Sequence, residues 1–159
     1  MTDVKMRPAK KGDLKKIADM VSEIWGHGGN ALMEERYGKI GGKSWSVWTT
    51  QEITGELKKI LPQIAVTEVD GEIAGFASYL IDRKKSLGTV GYNGVNTRFQ
   101  GLGIGGRQLK WVLAQLRKKG LKYAQVITGL NEGHAPARKM YERAGFQPLA
   151  RNIIYTMKL

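Results

Sequence analysis

Seven residues, QGLGIGG at positions 100–106, hold four glycines: Gly101, Gly103, Gly105 and Gly106. A run without side chains lets a ligand come close to main-chain N–H groups. The apolar pattern ends a strand at Val95 and starts a helix near Ile104, so the loop sits at a helix N-terminus. Unpaired amides and the helix dipole there make a cradle for an anion such as a phosphate. The plainer alternative is a tight strand-to-helix turn, which calls for one or two glycines rather than four. Two nucleotide motifs are excluded. Residues 101–106 satisfy G-x-G-x-x-G literally, but a dinucleotide fold needs that fingerprint in its opening βαβ unit, with an acid about 20 positions on. Here the loop lies two-thirds of the way along the chain, and LKYAQVIT (121–128) holds no acid. A P-loop fails because no Gly-Lys-Ser/Thr follows the glycines.

The elements that must position this loop follow from periodicity. Leu14, Ile17, Ala18, Val21, Ile24 and Trp25 share one helical face, with Asp13 at its start, and GHGGN (26–30) ends that helix. ALMEERYG and TTQEITGELKKIL read as helices on either side of a Gly-rich, Trp-bearing KIGGKSWSVW. QIAVTEV (63–69) and EIAGFASYLI (72–81) flank Asp70-Gly71 as a hairpin, and TVGYNGV (89–95) follows as a third strand. After the glycines, Leu109, Val112, Leu113 and Leu116 mark an amphipathic helix stopped by Gly120. LKYAQVIT is a strand; Pro136 opens a last helix with the stripe Ala137, Met140, Tyr141 and Ala144. The tail FQPLARNIIYTMKL is expected to close the sheet with one or two strands. The expectation is a single α/β domain over 1–159, with a mixed sheet, an antiparallel meander and about four flanking helices.

Composition narrows the chemistry. Cysteine is absent, which removes a thiol nucleophile and Cys-based zinc sites, and His27 and His134 are too few for a histidine metal cluster, so no metal is expected. No apolar run has the length of a signal peptide or a membrane span, and a cytoplasmic protein without membrane contact is expected. The formal net charge is +12, from 26 basic and 14 acidic residues. That balance suits a polyanionic partner or a phosphorylated cofactor; the plain alternative is a solvated surface. No segment interleaves aromatic with basic residues, so no dedicated nucleic-acid partner is expected.

Two motifs in register carry a family resemblance. Gln100-Gly101-Leu102-Gly103-Ile104-Gly105 resembles the Q/R-x-x-G-x-G/A pyrophosphate loop of the GNAT acetyltransferase superfamily. APARKMYERAGF (135–146) resembles its second signature, A-x-x-x-Y-E-x-x-G-F. The resemblance spans essentially the whole chain and is strong from about residue 63 onward. It implies a GNAT-like fold whose central strands splay apart around acetyl-CoA. By position, main-chain groups of Gly94 and Val95 would meet the pantetheine arm. Gln100 and the amides of Gly101, Leu102, Gly103, Ile104, Gly105 and Gly106 would hold the pyrophosphate, with Arg98, Arg107 and Lys110 adding charge.

The resemblance also implies a reaction. Family members often use a tyrosine at the place of Tyr141 to protonate the departing thiolate, and a phenol keeps its proton at neutral pH. Packing in the stripe is the alternative role for Tyr141, and both can hold together. The family usually has Asn where this chain has His134, which would bind the cofactor, accept a proton, or simply cap the helix. Some members carry a Glu where this chain has Thr128-Gly129; Glu132, Glu34, Glu35 or a water chain would then take the amine's proton. Residues 26–61 are the variable, acceptor-side segment, in which His27, Glu34, Glu35, Tyr37, Trp45 and Trp48 would line a pocket or bury the segment against the sheet. The expectation is an N-acetyltransferase acting on a primary amine, of a small molecule or a protein, by direct attack in a ternary complex, as a monomer or homodimer. A catalytically silent acyl-CoA-binding sensor or scaffold is the alternative.

Overall fold

Strand-forming runs assemble one mixed sheet in the order β1 (Val4–Pro8), β2 (Ile64–Val69), β3 (Glu72–Asp82), β4 (Leu87–Val95), β5 (Tyr123–Val126). The computed structural model describes residues 3–25 and 32–159. In it β1 through β4 are antiparallel neighbours, and β5 joins β4 in parallel. Asp70 and Gly71 both have positive φ, 50° and 84°, as a two-residue turn between right-twisted strands requires. The parallel β4–β5 pair needs a crossover, and α4 (Ile104–Lys118) supplies it.

Helices cover both faces. Successive strand residues point to opposite sides, and Phe76 and Ala77 on β3 accordingly enter two different cores. Phe76, Ile64 and Val66 pack against Ile17, Met20 and Val21 of α1 (Leu14–Trp25) and Ile53 and Leu57 of α3 (Trp45–Lys59). On the other face Ala77, Tyr79 and Val90 meet Leu109, Val112 and Leu116 of α4, together with Tyr141 of α5 (Ala135–Arg143). The short α2 (Leu32–Tyr37) buries no residue of its own.

Two expectations are corrected. The third helix begins at Trp45, four residues before the TTQEITGELKKIL run, because its first amides are capped. Glu34 accepts from Trp45 N–H at 2.6 Å, and Ser44 Oγ accepts from Val47 N–H at 3.4 Å. The tail contains no strand: residues 147–159 form no regular element, and β5 remains the end of the sheet. GHGGN, which was expected to end α1, lies outside the described residues.

The entry to α1 rests on charge as well as burial. Arg7 of β1 donates to both carboxylate oxygens of Asp13, at 2.7 and 3.1 Å, and Asp13 also accepts from Lys10 N–H at 2.7 Å. Arg7 Nε reaches Glu68 of β2 at 2.8 Å. The Arg7 guanidinium holds the Asp13 carboxyl below its ordinary range, partly opposed by burial. A depressed folded-state pKa gives stability that is present above the unfolded pKa and lost as pH falls through the folded one. Asp13→Ala should therefore lower unfolding free energy by about 2 kcal/mol at neutral pH, and the gap to wild type should close in acid. Urea melts at several pH values measure both.

Candidate active site

β4 is longer than its parallel partner. Leu87–Val90 pair with Tyr123–Val126, but among the described residues Gly91–Val95 have no strand on that side. A bulge begins where the partner ends, because Ser78 of β3 stands opposite both Gly91 and Tyr92. Ser78 Oγ accepts from Tyr92 N–H at 2.9 Å, which fixes the bulge with a side chain. A Cβ on Gly91 would come within 2.4 Å of that oxygen, so no larger residue fits there. The result is an opening between β4 and β5, along which the β4 backbone meets no strand among the described residues. Gly94 and Val95 lie on this stretch.

Past Val95 the chain turns through a short 3-10 segment (Thr97–Phe99), pinned to α1 by Glu23, whose carboxylate accepts from Thr97 N–H, Thr97 Oγ1 and Asn96 Nδ2. Those bonds, led by that from the Thr97 side chain, hold the Glu23 carboxyl below its ordinary range. The glycine loop follows. Gly101 and Gly103 have φ of 82° and 72°, a conformation that side chains rarely adopt, and nothing lies within 4 Å of where a Cβ would sit on either. Gly103 is the N-cap of α4, and its carbonyl accepts from Arg107 N–H at 3.1 Å. Among the described residues no main-chain acceptor takes the N–H groups of residues 101–106. Gln100, Leu102, Arg107 and Lys110 are exposed around them. Arg98 is turned to Glu72, at 3.1 Å.

One residue central to this geometry was not anticipated from sequence. Gln108, fully buried in α4, donates from Nε2 to Phe76 O (3.1 Å), Gly94 O (3.2 Å) and Asn93 Oδ1, and its Oε1 accepts from Thr67 Oγ1 at 2.9 Å. Asn93 Nδ2 in turn donates to Gly105 O at 3.2 Å. A single amide thus joins three strands to the helix that the glycine loop opens. A signal existed: Gln108 falls four residues after Ile104 and four before Val112, on the buried stripe.

α5 closes the other side of the opening. A Cβ on Gly105 would lie 3.5 Å from Met140 Sδ and 3.9 Å from Val95 Cγ2, so α5, the loop helix and the end of β4 converge. Tyr141 is buried with Leu109 and Val112, its ring edge-on to Phe146 at 5.9 Å between centroids. Burial raises its pKa above the ordinary phenol value, and among the described residues no hydrogen bond engages its hydroxyl. His134 is half-buried at the end of a 3-10 turn and its Nδ1 pairs with Asn131 Oδ1. Arg138 holds the same loop by donating to Gly129 O and Asn131 O, at 2.7 and 2.8 Å.

The acceptor-side residues divide. Glu34 caps α3, and the Trp48 indole donates to Ile40 O at 2.8 Å beneath Lys43, both of which are local tasks. Trp45 is half-buried, while Glu35 and Glu132 are exposed. Tyr37 lines a shallow cavity of about 370 Å³ with Met33, Arg36, Ile40, Met157 and Lys158. His27 lies outside the described residues. Also unforeseen is a pair beside β4: Tyr92 donates to Glu56 of α3 at 2.7 Å, and burial followed by that bond raises the phenol's pKa.

Comparison with known proteins places this arrangement. The model of the acetyltransferase (GNAT) family matches residues 24–146. No curated protein sequence matches the chain. Among solved structures, the PaiA N-acetyltransferase from Thermoplasma acidophilum in complex with coenzyme A is similar with a TM-score of 0.75 and 14% identity, over 94% of this chain and 93% of that one. An aminoglycoside N-acetyltransferase in complex with CoA gives 0.69 and 15%, over 100% and 97%. N-acetylglutamate synthase from Neisseria gonorrhoeae gives 0.65 and 20%, over 93% of this chain, which spans 29% of the length of that protein. At these identities the likeness is one of fold.

The buried amide generates a test of its own. Gln108→Leu strands Thr67 Oγ1 and the Gly94 carbonyl without the amide that now satisfies them, at a cost of about 1–3 kcal/mol for each group. The melting temperature should fall by on the order of 5–10 °C, measured by calorimetry. A half-buried glutamine of the same helix whose side chain makes no hydrogen bond among the described residues, changed likewise (Gln115→Leu), should leave it within about 2 °C.

Proposed function

The chain belongs to the acetyltransferase (GNAT) family, and on that premise we propose that it moves an acetyl group from acetyl-CoA to a primary amine, of a small molecule or a protein, by direct attack in a ternary complex. The observation that carries this reading is the continuity of two main-chain stretches. The stretch Gly91–Val95, which has no strand on its β5 side, runs toward the amides of 101–106, which have no main-chain acceptor among the described residues, with open space above Gly101, Gly103 and Gly106. An extended amide-bearing arm fits along the first, and a pyrophosphate fits over the second. The basic surface at Arg107 and Lys110 favours the phosphates further.

Bound acetyl-CoA supplies a thioester, whose carbonyl carbon an uncharged amine attacks. The chain's own residues then have three tasks. Gly94 and Val95 orient the arm through their main chain, and His134 contributes a polar atom at the mouth of the opening. Tyr141 holds a proton for the departing thiolate: when the carbon–sulfur bond breaks, the phenol's hydrogen passes to sulfur, and the proton that the attacking nitrogen sheds, carried by water, restores the phenol. Its burial supports that role, since a raised pKa keeps the phenol protonated across the working range. The Tyr92–Glu56 pair puts a carboxylate beside the middle of β4, which favours a cationic amine over an acidic one. With no cysteine in the chain, a thiol-bound acyl-enzyme has no nucleophile, and this favours transfer within a ternary complex.

Acetyl-CoA at about one hundred times its Kd should raise the melting temperature by on the order of 5–10 °C. Gly103→Val should abolish that shift, because valine does not adopt the positive φ that opens the cradle. A shift of wild-type size in the variant would remove the loop from the cofactor site.

Tyr141→Phe keeps the ring and the contact with Phe146 while deleting the proton donor. Turnover, followed as thiol release across a panel of amines, should fall by about 10² or more, with the acetyl-CoA thermal shift retained. Undiminished turnover where chemistry limits the rate would leave Tyr141 a packing residue. A wild-type chain that shows the shift but releases no thiol with any amine would favour a silent acyl-CoA-binding domain.

A further inference from the structure

Charge is divided unevenly along the chain. Residues 1–82 hold 11 basic and 12 acidic side chains, so the whole of the +12 lies in residues 83–159. Between Asp82 and Glu132 ten lysines and arginines occur without one acid. The glycine loop accounts for only part of this surplus. Arg107 and Lys110 stand near the start of α4, beside the amides of 101–106, whereas Arg117, Lys118 and Lys119 lie at its other end, about 20 Å away. A pyrophosphate over the loop does not reach them.

The fold gathers these distant cations into one patch. α4 returns the chain to the start of β4, and a Cβ on Gly88 would meet Leu116 Cδ1 at 2.5 Å, so the last turn of the helix rests directly on the strand. Ser86, in the turn between β3 and β4, has a φ of 53°, uncommon for a residue with a side chain. Its carbonyl accepts from Lys122 N–H at 3.0 Å and from Tyr123 N–H at 3.1 Å, which ties the turn to the segment after α4. Arg83, Lys84 and Lys85 of the turn therefore stand beside Arg117, Lys118, Lys119 and Lys122, more than 30 residues later in the chain. All seven are exposed. Asp82, paired with Lys85 at 3.0 Å, is the one acid that any of them meets among the described residues. The helix dipole favours cations in a last turn, but it gives no reason for those of the β3–β4 turn or for Lys122.

We propose that this patch binds the phosphate backbone of double-stranded DNA without reading its sequence. Charge density decides between polyanions. A duplex presents one charge per about 1.7 Å of its axis, while an extended acidic peptide carries at most one per residue, about 3.3 Å. Five of the seven cations are lysines, which are depleted at protein interfaces and ordinary at phosphates. Single strands are held by stacking successive bases on several aromatic side chains, and Tyr123 is the one exposed aromatic beside the patch among the described residues. Duplex RNA is distinguished through its 2′-hydroxyls. Across residues 82–86 and 117–122 the one neutral polar side chain is Ser86, whose Oγ already accepts from Lys122 N–H at 3.2 Å. The sequence carries no nucleic-acid motif because only the fold joins the two halves of the patch. The opening along Gly91–Val95 lies toward the other end of β4, so a bound duplex leaves it free.

A short fluorescein-labelled DNA duplex of mixed sequence, titrated with the full chain, reports binding by anisotropy. It should bind more tightly than either of its single strands, duplex RNA of the same sequence or poly-glutamate of equal length. Affinity should fall about 40-fold between about 50 and 200 mM salt, the loss that about three neutralised phosphates entail. Lys118→Glu with Lys119→Glu should weaken binding at least about tenfold and flatten the salt dependence. Arg83→Glu with Lys84→Glu, on the turn, should do the same. Lys58→Glu with Lys59→Glu, exposed on α3 across the sheet, removes as much net charge and should change affinity less than about threefold. Saturating acetyl-CoA should leave the affinity unchanged. Four results would each overturn the proposal: no binding at the lowest salt, equal loss from charge reversal on either face, binding of single strands, RNA or poly-glutamate as tight as that of duplex DNA, or displacement of the duplex by acetyl-CoA.

Discussion

Beyond Val90 the outer edge of β4 has no strand beside it among the described residues, and a backbone edge inside a protein has to find other partners. Support comes instead from its other side: within the pairing to β3 the Ser78 hydroxyl takes the Tyr92 amide, and the Gln108 side chain takes the Gly94 carbonyl. Asn93 is held between Gln108 and the Gly105 carbonyl. Each of these bonds stabilises a strand that has left its neighbour, and together they keep the opening from collapsing into a continuous sheet. The amides of 101–106, which find no main-chain acceptor among the described residues, lie at the N-terminus of α4, where a bound anion gains most from them.

Gln108 shows why the opening and the cradle are one feature. Its amide touches β2, β3 and β4, and its helix is capped by Gly103, so loop and strand edge cannot move independently. The glycines permit close approach; the amide determines where that approach occurs. A buried polar side chain with all its bonds made confers rigidity, and a half-satisfied one would be worse than leucine. Such a residue belongs in a site that must hold a long, flexible ligand at many points.

Legibility in the sequence followed the range of the interactions. The glycine loop and the Tyr141 helix are local patterns with local causes, and they stand at the expected places on the expected elements. The meander and its Asp70-Gly71 turn were equally plain, because the alternation and the turn pair act over a few residues. Trp45 is where this failed first: whether a helix starts there depends on Glu34, eleven positions away. The same carboxylate was a candidate for the acceptor pocket, and a capping bond had no signature at that distance. Tyr92 and Glu56, thirty-six apart, meet only because α3 lies across β4. Gln108 is a different failure, since its position on the apolar stripe was visible and its polarity suggested surface.

The tail departs from expectation for another reason. Its composition is that of a strand, and the strand expectation for IIYT was sound as chemistry. A strand, unlike a helix, takes its hydrogen bonds from outside its own segment, so composition alone decides only that a partner is needed, not where it is. The structure anchors the segment at Phe146 and Thr156 and leaves the ladder unmade.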